Sequence, residues 1–89
     1  MASKTQQAKD LAAYCRATVR DAHERGCTGT RITFDFMCGV AQAHPKTITD
    51  TGMWVFKRAA RIIVDCCQTE GTLGLVDFSD APFAIRPRR

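Results

Sequence analysis

The segment from Asp50 to Gly71 reads DTGMWVFKRAARIIVDCCQTEG, and it decides how the rest of the chain must fold. Its apolar residues recur every three or four positions, which is the period of an amphipathic α-helix. Glycine at the end of such a run is typical of helix termination. We therefore predict a long helix over Asp50–Gln68. Its core-facing stripe consists of Phe56, Ala59, Ala60, Ile63, Cys66 and Cys67.

A first helix is predicted over Thr5–Arg25. Ser3 and Gln6 have the spacing of a capping box, and Gly26 stands where a helix-terminating glycine is expected. Apolar residues recur between them at helical spacing, and most of the charged residues fall outside that stripe. The N-terminal quarter of the chain is therefore interpreted as one helix with a single buried face.

A second helix is predicted over Phe34–Ala43. Thr33 is a suitable N-cap, and Pro45 disfavours continuation of the helix beyond the residue that precedes it. The stretch Thr28–Ile32 is rich in β-branched residues and too short for a helix, so it is interpreted as a strand.

The C-terminal segment TLGLVDFSDAPFAIRPRR predicts a β-hairpin. Two extended stretches, Thr72–Phe78 and Phe83–Arg86, flank a turn-rich stretch at residues 79–82. The predicted fold class is thus α+β: three helices, a short strand and a C-terminal hairpin. The 89 residues form one domain with a basic tail at 86–89.

Composition places this domain among ordinary globular proteins, with 45% hydrophobic and 25% charged residues. The N-terminus lacks the apolar region of a signal peptide, and no apolar run is long enough to cross a membrane. Five cysteines, an odd number, favour free thiols in a reducing compartment. We expect a cytoplasmic protein that makes no membrane contact.

Catalysis and metal binding are not indicated. His23 and Cys27 have a spacing that a metal site can use, but they make only half a site, and no C-x-x-C or H-x-x-x-H pair accompanies them. Neither histidine lies in a motif with a nucleophile, and no phosphate-binding glycine loop occurs. The sequence therefore predicts no enzyme activity, no cofactor and no metal.

The order helix, strand, helix, helix, hairpin is similar to that of the winged helix-turn-helix superfamily, over about residues 5–86. This resemblance implies that the third helix enters the major groove of DNA and that the hairpin forms the wing. It also implies a small transcription regulator of the kind found in phages and prophages. The link from His44 to Thr49 departs from the pattern, because it is longer than the tight turn of a helix-turn-helix.

The outer face of the third helix carries an indole and three cations, a composition that suits phosphates and guanine edges. Hydroxyls at the start of that helix suit phosphate oxygens, and the basic tail could follow the DNA backbone. The alternative interpretation is that this side of the helix is only its solvent-exposed side, and that the basic tail only keeps the protein soluble. The predicted nucleic-acid contacts are Thr47, Thr49, Thr51, Trp54, Lys57, Arg58, Arg61, Arg86, Arg88 and Arg89.

A protein-binding module is the alternative interpretation, since a net charge of +4 is modest for a nucleic-acid binder. In this case the protein would be a small inhibitor or adaptor of the phage-encoded kind that acts on a host or partner protein, with Trp54, Phe78 and Phe83 as anchors. A homodimer through the first helix, or packing in the chain's own core, would account for three small residues on one stripe: Ala8, Ala12 and Cys15.

Overall fold

The structure is a computed structural model that describes residues 3–78. Within this range the chain forms three helices, one 3-10 turn and two short strands, so the fold is mixed α+β. The elements are α1 (Lys4–Glu24), β1 (Thr30–Arg31), α2 (Phe34–Ala43), α3 (Met53–Glu70), a 3-10 turn (Leu73–Leu75) and β2 (Val76–Asp77).

The first helix is present within one residue of its predicted bounds. The Ser3 hydroxyl accepts a hydrogen bond from the backbone N–H of Gln6 at 3.1 Å, as the capping box predicts. At the other end Gly26 has a φ of 89°, and the N–H of Cys27 reaches back to the carbonyl of Ala22 at 2.9 Å. This pairing of the last carbonyls is a Schellman motif, and it ends the helix.

The second helix has the predicted bounds, Phe34–Ala43. The Thr33 hydroxyl accepts from the N–H of Phe36 at 3.1 Å, so the predicted N-cap is present. Phe34 at the helix start is 38% exposed, yet its ring lies 5.2 Å from that of Phe56 in α3. The start of α2 is therefore held against α3 by a pair of aromatic rings.

The third helix begins at Met53, three residues later than predicted, with Gly52 as its N-cap. The reason is a long-range contact: the side-chain oxygen of Gln7 accepts the backbone N–H groups of Thr49 and Asp50, at 2.9 and 2.8 Å. These two residues are thereby held outside the helix. The link between α2 and α3 covers residues 44–52, which is much longer than the three or four residues of a helix-turn-helix turn.

The predicted hairpin is corrected in its first arm. Residues 73–75 of that arm form a 3-10 turn, and only Val76–Asp77 is extended. This strand pairs with β1 in parallel, with Thr30 opposite Val76. Parallel pairing requires a crossover, and here α2 and α3 supply it. The predicted loop at 79–82 and the second arm, Phe83–Arg86, lie outside the described residues.

The core lies between α1 and α3, with α2 and β1 closing one side. Its largest fully buried side chains come from the three helices and from Ile32, which follows β1, so the helices depend on one another for burial: Leu11, Ile32, Met37, Val55, Phe56, Ile63 and Val64. The small residues Ala8, Ala12 and Cys15 face this same core and are at most 1% exposed. The stripe that could have served a homodimer is thus used in the chain's own packing.

Among the described residues, no helix combines the length and the apolar character needed to cross a membrane.

Candidate nucleic-acid interface

The solvent-facing side of α3 carries the predicted basic face. The helix ends at Glu70, two residues later than predicted, and Gly71 terminates it as the sequence indicates. Gly71 has a φ of 72°, and the N–H of Thr72 donates to the carbonyl of Cys67 at 2.8 Å, which makes a second Schellman motif. Because α3 is an α-helix throughout Met53–Glu70, side chains three and four residues apart line up along it. Val55, Phe56, Ala59, Ala60, Ile63, Val64 and Cys67 are buried on the opposite side.

Four of the predicted contact residues come together on that outer side. Trp54, Lys57, Arg58 and Arg61 line one open, shallow depression of the surface. The indole of Trp54 is 50% exposed, and Lys57 and Arg58 are exposed as well. We call this surface the α3 basic face. It presents an aromatic ring and three cations to anything that approaches from solvent.

The cations of the α3 basic face differ in how strongly they are held. The guanidinium of Arg61 donates from Nε to Oδ1 of Asp65 at 3.0 Å and also contacts it through Nη2, so it is fixed one turn along the helix. Within residues 3–78, neither Lys57 nor Arg58 forms a salt bridge. These two side chains are able to rearrange around an incoming anion without breaking an ion pair.

The first turn of α3 adds to this positive character. The N-terminal end of a helix bears partial positive charge, and it lies beside the cations of the α3 basic face. Gly52 offers no side chain to cap that end. One carboxylate works against anion binding here, because Asp50 accepts a hydrogen bond from the N–H of Gly52 at 2.9 Å. The start of α3 therefore combines the partial positive charge of a helix end with one carboxylate, that of Asp50.

Two of the three predicted threonine contacts are engaged within the fold. The Thr47 hydroxyl accepts from the hydroxyl of Tyr14 at 3.4 Å, and the Thr49 hydroxyl accepts from the side-chain amide of Gln7 at 3.1 Å. Thr51 is exposed at the start of α3. The first two threonines thus help to fix the link before the helix, whereas Thr51 is positioned at its open end.

The predicted tail contacts Arg86, Arg88 and Arg89 lie outside the described residues.

The basic residues of α1 are distributed differently from those of α3. Arg16 contacts Glu70 across the helix pair, and Arg25 pairs with Asp21 at 3.0 Å. Acidic neighbours therefore interrupt the charge on α1, as its sequence indicates.

Sequence reasoning missed two exposed apolar residues, which lie at the starts of α2 and α3. Met53 is 46% exposed and Phe34 is 38% exposed, and with Trp54 they are the large apolar side chains most open to solvent in the described part of the chain. Phe34 was assigned only as a helix start, and Met53 lies within the predicted helix but outside its stripe. That off-stripe position of an apolar residue was the available signal.

The remaining reactive side chains are mostly engaged in packing. All five cysteines are free thiols, and burial raises the pKa of Cys15 to about 12. His44 stacks on Tyr14 with ring centroids 3.7 Å apart. Across residues 3–78, no group of three or more metal-ligating side chains is found.

No protein-family model, no curated protein and no solved structure matches this chain.

Proposed function

We propose that this protein binds double-stranded DNA through the α3 basic face, as a small regulator of the winged-helix type. The observation that carries the proposal is the shared depression lined by Trp54, Lys57, Arg58 and Arg61 on one exposed helix side. The major groove is about 12 Å wide and admits an α-helix. A helix buried on one side and cationic on the other suits that groove in both shape and charge.

Each residue type on the α3 basic face has a chemical role in this proposal. The guanidinium of Arg58 can pair with guanine O6 and N7 or with a phosphate, and the ammonium of Lys57 is a mobile phosphate contact. The half-exposed Trp54 offers an apolar surface to a thymine methyl group or a deoxyribose. The positive end of the helix dipole favours a phosphate beside these groups.

The Arg61–Asp65 pair limits affinity in this proposal. A phosphate that takes the place of the carboxylate on Arg61 must also approach the negative charge of Asp65. Replacing Asp65 by Asn removes this repulsion, because the amide that takes the place of the carboxylate carries no charge. We expect the Asp65→Asn variant to bind duplex DNA several-fold more tightly than the natural sequence at low salt.

The wing and the tail remain parts of the proposal that rest on sequence alone. A wing would need a second strand from the residues beyond 78, on the edge of β2 that does not pair with β1. The tail arginines 86, 88 and 89 would add phosphate contacts next to those of α3. The α3 basic face is the part of the interface on which the proposal depends.

Fluorescence anisotropy with a labelled mixed-sequence duplex tests the proposal. With three to six phosphate contacts, log affinity should fall with log salt at a slope of about −3 to −5. Replacing Lys57 and Arg58 together by Ala should lower affinity at least about tenfold at low salt and reduce the slope by about 2. The chain has one tryptophan, so the emission of Trp54 should change on binding as a second readout.

The control for this experiment is the double variant Lys9→Ala, Arg20→Ala. It removes the same charge from exposed positions of α1, and circular dichroism establishes that both double variants are folded. Equal loss of affinity in the two would mean that overall charge, and not α3, attracts DNA. No binding by the natural sequence at tens of micromolar in low salt would exclude the proposal.

A second candidate function is binding to another protein, favoured by the exposed apolar side chains Phe34, Met53 and Trp54. Exposed aromatic residues with neighbouring arginines are typical of interface hot spots. Of the anchors predicted from sequence, Trp54 is exposed, Phe78 is partly buried against the core, and Phe83 is outside the described residues.

Affinity capture with nuclease treatment separates the two functions. A stoichiometric protein retained after nuclease treatment, and lost with Phe34→Ser or Met53→Ser, supports protein binding. These two substitutions leave the cations of the α3 basic face in place, so they should leave DNA binding within about twofold if the first proposal is correct.

A further inference from the structure

A second concave site lies on the far side of α3, between α1, α3 and the residues that follow Gly71. Its floor is apolar and closely packed: Val19, Ile63, Cys67 and Val76 line it and are each at most 7% exposed. Leu75 closes one edge. The cavity measures about 60 Å³, which is room for roughly four to six water-sized groups.

The rim of this cavity is charged. Arg16, Arg20 and Glu70 stand around the opening, and Arg16 and Glu70 contact each other as an ion pair. Arg20 lies one helical turn from Arg16, is exposed, and forms no salt bridge within residues 3–78. The rim therefore carries a net charge of +1, from two cations and one anion, and one guanidinium is available to a ligand.

We propose that this cavity binds a short branched aliphatic carboxylate, with the alkyl group among Val19, Ile63, Cys67 and Val76 and the carboxylate on Arg20. A branched alkyl group of four carbons enters this cavity in part and covers its opening with the remainder, and its burial supplies the hydrophobic part of the affinity. A guanidinium pairs with a carboxylate through two parallel hydrogen bonds, which fixes the orientation of the ligand.

Two sources of this chemistry fit the site. A simple carboxylic acid such as 3-methylbutanoate uses Arg20 alone, whereas an α-amino acid such as leucine also offers an ammonium group to Glu70. Either ligand has fewer than ten heavy atoms, so we expect a Kd on the order of 1 mM. The proposal is independent of DNA binding, because none of its residues belongs to the α3 basic face.

The test is a titration of the ¹⁵N-labelled full chain, followed by amide chemical shifts, with 3-methylbutanoate, L-leucine, 3-methylbutan-1-ol and acetate. The first or the second ligand should produce saturable shifts centred on the amides of Val19, Cys67 and Val76. Saturation by only one of them identifies which source the site accepts. Acetate lacks the alkyl group and the alcohol lacks the charge, so both should bind at least about tenfold more weakly.

Two variants locate the binding. Arg20→Gln should weaken carboxylate binding about tenfold. The control is Arg25→Gln, at the exposed C-cap of α1, which does not line the cavity and should leave binding unchanged. Val19→Leu fills the cavity and should abolish saturable shifts. No saturable response to either ligand, equal binding of the alcohol, or full binding by Arg20→Gln would each overturn the proposal.

Discussion

Gln7 is the single buried polar side chain among the described residues, at 4% exposure. Its amide makes three hydrogen bonds to the link before α3: it accepts from the N–H groups of Thr49 and Asp50 and donates to the Thr49 hydroxyl. A buried amide that is fully hydrogen-bonded contributes to a unique arrangement as well as to stability. This one residue therefore decides where α3 begins and how its basic face is presented.

Replacing Gln7 by Ala should lower the free energy of unfolding by about 1–3 kcal/mol, because two backbone donors lose their acceptor and a small cavity forms. Urea denaturation measures the change. The control is Gln6→Ala, whose exposed side chain only donates to Asp10 at 2.9 Å, and which should cost less than about 0.5 kcal/mol. Equal losses in the two variants would contradict the assignment of this role to Gln7.

The Cys15 thiol makes stability depend on alkaline pH. Burial raises its pKa from 9.0 to about 12, so between these values the unfolded chain releases a proton that the folded chain retains. Its contribution to stability is complete below pH 9 and is lost as pH rises toward 12. The loss in this window is about 1.4 kcal/mol per pH unit.

Comparing the natural sequence with Cys15→Ala isolates this effect from all other titrating groups. We expect the stability difference between the two proteins, measured by urea denaturation, to shrink by about 1.4 kcal/mol from pH 8 to pH 10. A difference that stays constant over this range would mean that the thiol is less buried than its position in the core indicates.

At the scale of single elements, glycine substitutions test how the ends of the helices contribute to stability, apart from the packing of the core. Gly71 holds the left-handed conformation that ends α3, whereas Gly39 lies within α2 and faces open space. An alanine is strained in the first position and favoured in the second. The same chemical change should therefore have opposite signs at the two sites.

Gly71→Ala should destabilise the protein by about 1–2 kcal/mol, because an L-residue with a side chain resists a positive φ. Gly39→Ala should stabilise it by about 0.5–1 kcal/mol, since no atom lies within 4 Å of the added methyl group and helix propensity improves. Thermal unfolding followed by circular dichroism measures both. Destabilisation by Gly39→Ala would show that α2 packs more closely than the structure indicates.

At the scale of the whole molecule, one side of α3 forms part of the core and the other side forms the α3 basic face. Phe56 is fully buried between the helices, while Trp54, two positions earlier, is 50% exposed on the α3 basic face. A domain of this size has only about 5–10 kcal/mol of stability in total. The fold thus depends on one side of this helix, and the proposed binding depends on the other.

Phe56→Ala should lower the free energy of unfolding by about 3–5 kcal/mol, which is a large part of this total. Trp54→Ala should change stability by less than about 1 kcal/mol, yet weaken binding to duplex DNA or to a protein partner. Differential scanning calorimetry and the anisotropy titration measure the two effects. A large loss of stability in the Trp54→Ala variant would place the indole in the core and remove it from the interface.

Helix positions followed from the sequence because their determinants are local. Ser3 and Thr33 cap the helices they precede, and Gly26 and Gly71 end theirs, since each acts on backbone groups within a few residues. The 3.6-residue period separated the buried side of α3 from the outer side, so Trp54, Lys57, Arg58 and Arg61 were already grouped before any contact was known.

Tertiary structure alone decided the features that join distant parts of the chain. Nothing near Asp50 in sequence indicates that Gln7 holds it outside α3, and nothing near Val76 indicates that β2 pairs in parallel with β1. The cavity rimmed by Arg16, Arg20 and Glu70 likewise forms only when α1 and α3 pack together. Local sequence patterns determine where helices are capped and which of their sides is buried. Which distant residues come into contact depends instead on the free energy of the whole folded chain.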